Sequence, residues 1–521
     1  MVADSRPLSQ ASRLSSNQDR RDIWRLAERY LKRYPHFDGA ISSEDAVSLA
    51  TNPERVAKHT FYPFLTYAKR YTRFAPKGIR GKVKERLIRF GARRDAYIFM
   101  YYRHILSTYY EAELLRYGLN DVVIAYRKIP DAPLTLGLGQ RRRHSHKSTI
   151  HFARDAFQKI ASMAQNGNVL VFCFDIASFF EKLDHNKIKE DWRRLLKADR
   201  LPNDHFRVFE AATRYAYVDL RECLKQLGMT EKVRLTNGKV IDVPKKKLPM
   251  RLCTGREFRL KIARVPGSIA INNSGRGVPQ GCPISDVIAN IYMLDFDRSI
   301  AEFVNRSGGY YRRYADDLLI AIPERDGDIE RVVRGVETSL EKYCCGLKIK
   351  EEKTSIHRFQ RVGDLIGFDF VKGEQGKNGL EYLGFRFDGK HVYIRDSTLS
   401  AHYRKMTYRV RSAVCRWRRA HPDMARDEFE KRFPKEVVYQ RLGKVENWDE
   451  RKEIYRNWTF YSYAKRCHEL MAALQSKIAD QLKGHRRHFE RRVEREIERA
   501  FSRGASRRAE QPTGGAHGPS V

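Results

Sequence analysis

The stretch "GGYYRRYADDLLIAI", residues 308–322, sets two adjacent carboxylates, Asp316 and Asp317, inside an otherwise apolar and aromatic run. Its aromatic and β-branched content predicts two short strands meeting at Ala315–Asp316. Like charges in contact repel, and carboxylates withdrawn from water are costly unless paired, protonated or bound to metal. A lone Asp-Asp is commonly a turn or a helix cap, but apolar strand on both sides is unusual for a cap. A third carboxylate, Asp175, closes another apolar run of strand length, "NVLVFCFD" (168–175). If the two elements are neighbours, three carboxylates converge at one end of a sheet. Neither strand's buried face is then expected to supply a basic residue to neutralise them. Such an oxygen cluster suits hard divalent cations, and a pair of Mg²⁺ ions stabilises both the attacking and the leaving oxygen of phosphoryl transfer.

Between these acids lies "GRGVPQGCPISDVIANIYM" (275–293). Gly277, Pro279 and Gly281 just before a helix give a tight loop whose backbone can approach a ligand closely. Gln280 offers an amide, and Ser285 is placed to cap the helix. The following "DVIANIYMLDFDRSIAEFV" (286–304) has helical spacing.

The chain has 521 residues, 41% of them hydrophobic and 11% aromatic, which is the composition of a folded protein with a sizeable core. Charge is the outlier: 101 Lys and Arg against 64 Asp and Glu leave +37. That surplus points to a polyanionic partner, nucleic acid first, although a generally basic solvated surface is the bland alternative. No stretch reaches the roughly 18 apolar residues of a membrane span. The N-terminus lacks the apolar core of a signal peptide. The eight cysteines, at 173, 223, 253, 282, 344, 345, 415 and 467, show no zinc spacing. They suit reduced thiols in a cytoplasmic protein.

Along the chain, residues 1–20 are polar and expected to be flexible. Residues 21–120 read as helical, with aromatic and basic residues interleaved, as in "HTFYPFLTYAKRYTRF" (59–74) and "DAYIFMYYRHILSTYYEAELLRYGL" (95–119). "DVVIAYRKIP" (121–130) reads as a short strand, "LGLGQRRRHSHK" (136–147) as a basic loop, and 148–164 as a helix capped by Ser148. A basic segment at about 225–275, containing "PKKKLP", reads as a loop or β-rich insertion that adds to a nucleic-acid-binding surface. Residues 401–500 are again helical and very basic, with Tyr403, Tyr408 and Trp417 among the arginines, and 501–521 reads as a disordered tail.

The motifs "FDIASFFEKLDH" (174–185), "GVPQGCPISDVIANIYM" (277–293) and "YADD" (314–317) resemble, in order, the palm motifs of reverse transcriptases, especially prokaryotic ones related to group II intron enzymes. "GLKIKEEKT" (346–354) is similar to the next palm motif with its lysine, and "EYLGFRF" (381–387) to the primer-grip hairpin. "AYRK" (125–128) is similar to a fingers strand whose basic residues face the incoming triphosphate. The resemblance covers about 121–400. It implies an α/β (α+β) right-hand polymerase: fingers and palm with an antiparallel palm sheet, a mostly helical N-terminal extension, and a helical thumb and appendage over 401–500.

It further implies that Asp175, Asp316 and Asp317 are catalytic and hold two Mg²⁺ ions, with Mn²⁺ as a substitute. Tyr314 and Ala315 would lie under the primer terminus, while Pro279, Gln280 and Gly281 would floor the template and nucleotide. Arg127 and Lys128 would contact the triphosphate, and Lys353 would donate a proton to pyrophosphate. Phe180 takes the steric-gate position that excludes a 2′-hydroxyl, which implies dNTP substrates and RNA-templated DNA synthesis; Phe179 beside it is assigned to the core. No HNH-like nuclease cluster, RNase H carboxylate set or retron Val-Thr-Gly signature is found. A core with extended helical ends and no mobility domain most resembles bacterial defence-associated reverse transcriptases, which act against phage with a cognate non-coding RNA. The expected partners are therefore an RNA template, dNTPs and a DNA product, with no membrane; the basic helical ends leave self-association open. The alternatives are an intron-like maturase that binds RNA, a template-independent protein-primed polymerase of abortive-infection type, and a catalytically dead RNA-binding scaffold.

Overall fold

The computed structural model describes residues 24, 26, 28–72, 83–131, 146–234, 238–374, 376–443, 448–449, 454–455 and 459–509. The expected flexible N-terminus, nearly all of the 136–147 loop and the tail beyond 509 lie outside the described residues. The chain divides into one unit of Met1–Arg127 with Phe172–Thr354 and another of Lys128–Val171 with Ser355–Val521.

The strands associated with the first unit are β1 (Phe64–Thr72), β2 (Val83–Phe90), β3 (Val169–Asp175), β4 (Ala216–Asp219), β5 (Thr230–Arg234), β6 (Val240–Pro244), β7 (Ala270–Ile271), β8 (Tyr310–Tyr314) and β9 (Asp317–Pro323). One sheet runs β2-β1-β4-β7, antiparallel at both ends and parallel between β1 and β4. In another, β9 lies between β3 and β8. The strands β3 and β9 are nearly continuous apolar runs because elements cover them on both faces; Leu170, Val171, Phe172, Leu319, Ile320 and Ala321 are all buried. A 24-residue helix, Arg93–Arg116, buries Tyr97, Tyr101, Leu106, Tyr110 and Leu114 at helical spacing.

Two expected elements differ. The aromatic-basic run 59–74 was expected to be helical, but it forms β1. Pro63 bars a helix from passing through, and the Thr and Tyr content fits a pleated surface paired on both sides. The 121–130 segment makes only isolated bridges, Val123 to Arg313 and Pro130 to His146, instead of a strand. Tyr126 at φ +65° breaks the extended backbone there. The basic insertion is mixed: the β5–β6 ribbon is followed by a helical stretch over Gly255–Phe258 and Arg259–Ala263.

In the second unit, β10 (Ser355–Val362) pairs with β11 (Leu365–Gly373) in an antiparallel hairpin. A three-stranded antiparallel sheet joins β12 (Leu380–Tyr382), β13 (Phe385–Phe387) and β14 (Val392–Ile394). The helix Thr149–Ala164 starts at Ser148 with a capping box, as expected, and its Phe157 stacks on Phe387 at 5.1 Å. The helices Asp396–Ala420 and His485–Ala509 pack through Met406, Val410 and Val414 against Phe489, Val493 and Ile497. Glu496, buried between them, accepts hydrogen bonds from Arg411 and Arg499. The last helix thus runs to Ala509, into the stretch expected as a tail, because its apolar stripe continues to Phe501. Among the described residues no helix is long and apolar enough to cross a membrane, and all eight cysteines are free.

Candidate active site

The register of β8 and β9 pairs Tyr314 with Asp317, leaving Ala315 and Asp316 as a two-residue turn. Ala315 sits at φ +57°, a region that costs a residue with a Cβ about 1–2 kcal/mol. The turn is held from behind. Arg313 donates to the Ala315 carbonyl (3.1 Å) and to Asn290 Oδ1 (3.2 Å), and it grips Asp297 with two parallel bonds of 2.6 and 2.8 Å. Tyr311 OH donates to the same carboxylate at 2.9 Å. Arg313 and Asp297 are both fully buried. A strand of the hairpin does therefore carry a buried basic residue, contrary to the expectation. Its charge is taken up by Asp297, and the turn carboxylates remain to be balanced.

Asp175 ends β3 beside this turn. The Ile176 amide donates to the Asp316 carbonyl (3.0 Å), and the Lys350 amide to the Asp175 carbonyl (2.8 Å). The 346–350 segment therefore runs along 175–177, and the short turn Glu351–Lys353 delivers Lys353 Nζ onto the Asp175 carboxylate. Burial, and then the charge of Asp175, push the Asp316 carboxyl above the ordinary range; Lys353 and Arg86 pull it back. Asp175 and Asp316 thus feel one another, and Asp317 follows at the start of β9. Among the described residues no three Asp, Glu, His or Cys side chains are grouped to hold a metal as the side chains stand. The donor chemistry nonetheless fits a hard cation: the carboxylates repel, and an ammonium already sits on one of them.

The loop before the helix Ser285–Tyr292 is fixed by close backbone approach. Gly281, at φ +107°, has room for no side chain, since a Cβ would lie 2.5 Å from the Arg89 carbonyl. The Gln280 carbonyl accepts from the Arg89 amide at 2.8 Å. Gly277 similarly abuts the Glu181 carbonyl, and the Val278 amide donates to the Phe180 carbonyl at 2.8 Å. Pro279 is buried, Gln280 half-buried and Gly281 exposed. Ser285 does not cap the helix; Ile284 holds that position, and the Ser285 hydroxyl closes the loop by donating to the Pro279 carbonyl (2.9 Å).

Phe179 is buried, while the half-buried Phe180 meets the ring of Tyr126 edge-on at 6.4 Å. Sequence reasoning passed over Tyr126. Its backbone is locked by neighbours: Arg103, bidentate on Asp286, also donates to the Tyr126 carbonyl (3.1 Å), and Asn290 donates to the Ala125 carbonyl (3.1 Å). Burial and the charge of Asp316 push its phenol up to about 12. Arg127, by contrast, points inward: its guanidinium pairs with Glu111 and donates to the carbonyls of Asn120 and Val123. Lys128 is exposed and falls in the other unit. Arg86, exposed on β2 opposite Lys69, is the second residue missed; read as part of a helical region, it gave no hint that its charge bears on Asp316.

The hairpin thus carries two acids at its turn, with a third at the end of the neighbouring strand β3. Residues 210–387 match the family model "Reverse transcriptase (RNA-dependent DNA polymerase)". The match takes in the Pro279–Gly281 loop, the Asp316–Asp317 turn and Lys353, and begins beyond Asp175. Over those residues, about a third of the chain, it is similar to the reverse transcriptase family. Among solved structures it is similar to apo telomerase from Candida tropicalis truncated from its C-terminal domain (14% identity, 69% of this chain and 62% of that chain, TM-score 0.33). It is also similar to telomerase from Candida albicans in complex with a TWJ fragment of telomeric RNA (10% identity, 85% and 63%, TM-score 0.35). The chain spans less than two thirds of the length of either. No curated protein matches the sequence.

Proposed function

We propose that the chain copies an RNA template into DNA, with Asp175, Asp316 and Asp317 holding two Mg²⁺ ions, replaceable by Mn²⁺. The observation that carries this is the convergence of Asp175 and Asp316, a repelling pair at the ends of neighbouring strands with a lysine as resident counter-charge. Bound there, such ions would acidify the primer hydroxyl and neutralise the triphosphate. Lys353, paired with Asp175, would be released on loading and could then protonate departing pyrophosphate. Arg86 takes the triphosphate role that the sequence suggested for Arg127 and Lys128. Tyr314 and Ala315 support the primer end, Pro279, Gln280 and Gly281 the template and nucleotide, and the ring of Phe180 excludes the 2′-hydroxyl. The finer assignment, an antiphage enzyme acting in the cytoplasm with a cognate non-coding RNA, rests on the resemblance of its core and extended basic ends to defence-associated enzymes.

Primer extension on RNA with Mg²⁺ and dNTPs, alongside sequencing of nucleic acid copurified from cells, tests the reading. Extension by the wild type, its absence in Asp316→Asn, and one discrete RNA retained by both are expected. RNA retention without extension under Mg²⁺ or Mn²⁺ would transfer the case to a maturase-like binder. Protein-linked DNA with no matching RNA would establish untemplated synthesis instead.

A further inference from the structure

The insertion at 225–275 carries twelve Lys and Arg against three acids, Glu231, Asp242 and Glu257. Every one of the twelve is exposed. Among the described residues only Lys261 is seen paired, at 3.8 Å from Glu257, and Lys239 has a contact of its own. Ten cations therefore stand in solvent without a carboxylate partner. They are not on a loose arm. Leu252, Cys253 and Ile262 are buried with Phe37, Leu65 and Val218, while Met229, Leu248 and Phe258 pack against that cluster. The Lys245 amide donates to the Met229 carbonyl (3.0 Å), tying the end of β6 down. Leu252, Cys253 and Ile262 thus anchor the segment, and Lys245, Lys246, Lys247, Arg256, Arg259 and Arg264 are exposed on a fixed base.

What is missing from this face is as informative. The segment contains one aromatic residue, Phe258, and its ring is engaged with Phe37 (4.8 Å) and Tyr62 (5.3 Å). Proteins that hold unpaired bases use exposed rings as stacking platforms, whereas a paired helix offers phosphates and hydroxyls to cations. We infer that this insertion is a docking surface for the sugar-phosphate backbone of an RNA duplex, gripping it by charge and without reading bases. The inference builds on the proposed RNA-copying function and names the form of RNA that this surface takes. Paired segments of the template or of its carrier RNA would be held here while single-stranded template is copied at the carboxylates.

Equilibrium binding of a blunt RNA hairpin and of single-stranded oligo(U), over a range of salt, tests this. The full chain is compared with two triple variants, Lys245→Gln/Lys246→Gln/Lys247→Gln and Arg256→Gln/Arg259→Gln/Arg264→Gln; an unchanged melting temperature certifies the fold. Each triple is expected to weaken hairpin binding about tenfold or more and to flatten the slope of log affinity against log salt by about 2–3. Oligo(U) binding should change far less. Unchanged hairpin affinity and slope in both triples would overturn the proposal, as would equal losses on hairpin and oligo(U). A loss confined to polyglutamate binding would mark a protein-docking face and overturn it too. The readout is binding, so failure of the polymerase reading shows separately, as absent primer extension by the wild type.

Discussion

Arg313 and Asp297 form a bidentate ion pair with neither side chain reaching solvent, immediately behind the turn that carries Asp316. Removing one member leaves the other charged, buried and alone, a change worth about 3–5 kcal/mol. Asp297→Ala should therefore lower the unfolding midpoint sharply. Arg313→Met combined with Asp297→Leu should be milder than Asp297→Ala alone, because no orphan charge remains. Urea unfolding of the three variants checks the order. A double variant as damaged as the single would show that the geometry of the pair, not its charge balance, is what the turn requires.

Gly281 and Gly277 each sit where a Cβ meets a backbone carbonyl, at 2.5 and 2.8 Å, whereas Gly267, also at positive φ, faces open space. Gly281→Ala should cut primer extension at least tenfold, since the loop must move off Arg89. Gly267→Ala pays only the backbone strain, about 1 kcal/mol, and should leave extension near the wild-type rate. Extension assays at matched protein concentration distinguish the two.

Phe180→Ala is expected to raise ribonucleotide relative to deoxyribonucleotide incorporation tenfold or more. Tyr126→Ala should move the ratio in the same direction by freeing the Phe180 ring, while Tyr126→Phe should keep it. The ratio of kcat/KM for UTP and dTTP on one primed template reads this directly. An unmoved ratio in Tyr126→Ala would reduce Tyr126 to a bystander.

Four histidines, His36, His357, His402 and His485, are pushed down to about 4, burial being the main cause in each. Unfolded, they would take a proton near pH 6.5. Between about 6.5 and 4 the unfolded chain thus binds more protons, so stability is present above that window and drains away as pH falls through it. His402 and His485 face each other at 2.9 Å, with Tyr439 on the far nitrogen of His485. Replacing His402 with Phe should flatten the loss between pH 6.5 and 4, as measured by denaturant midpoints across that range.

The two strands of the Asp-Asp hairpin and the run ending at Asp175 could be read from sequence because their apolar content is local and their lengths are right. Strand β1 could not. In "FLTYAKRYT" the aromatic and basic residues satisfy either period, and the deciding interaction, Phe64 with Tyr217 on β4, lies far along the chain. Lys353 was reached through motif resemblance, but nothing in "AYRK" tells that Arg127 folds inward onto Glu111 while Tyr126 takes a left-handed backbone beside Phe180. Those assignments depend on Arg103, Asn120 and Asn290, whose partners only the fold brings together.

If the proposed ions load at Asp175, the ammonium of Lys353 on its carboxylate would make that loading an exchange reaction. Each ion would first have to evict a tethered competitor whose local concentration is fixed by the chain, which would shield the resting site from adventitious cations. Occupancy then answers to whatever draws the lysine elsewhere. A triphosphate is such a lure, and it would arrive carrying its own magnesium. Substrate and metal would then load together, and a vacant polymerase would stay chemically silent amid millimolar divalent salt.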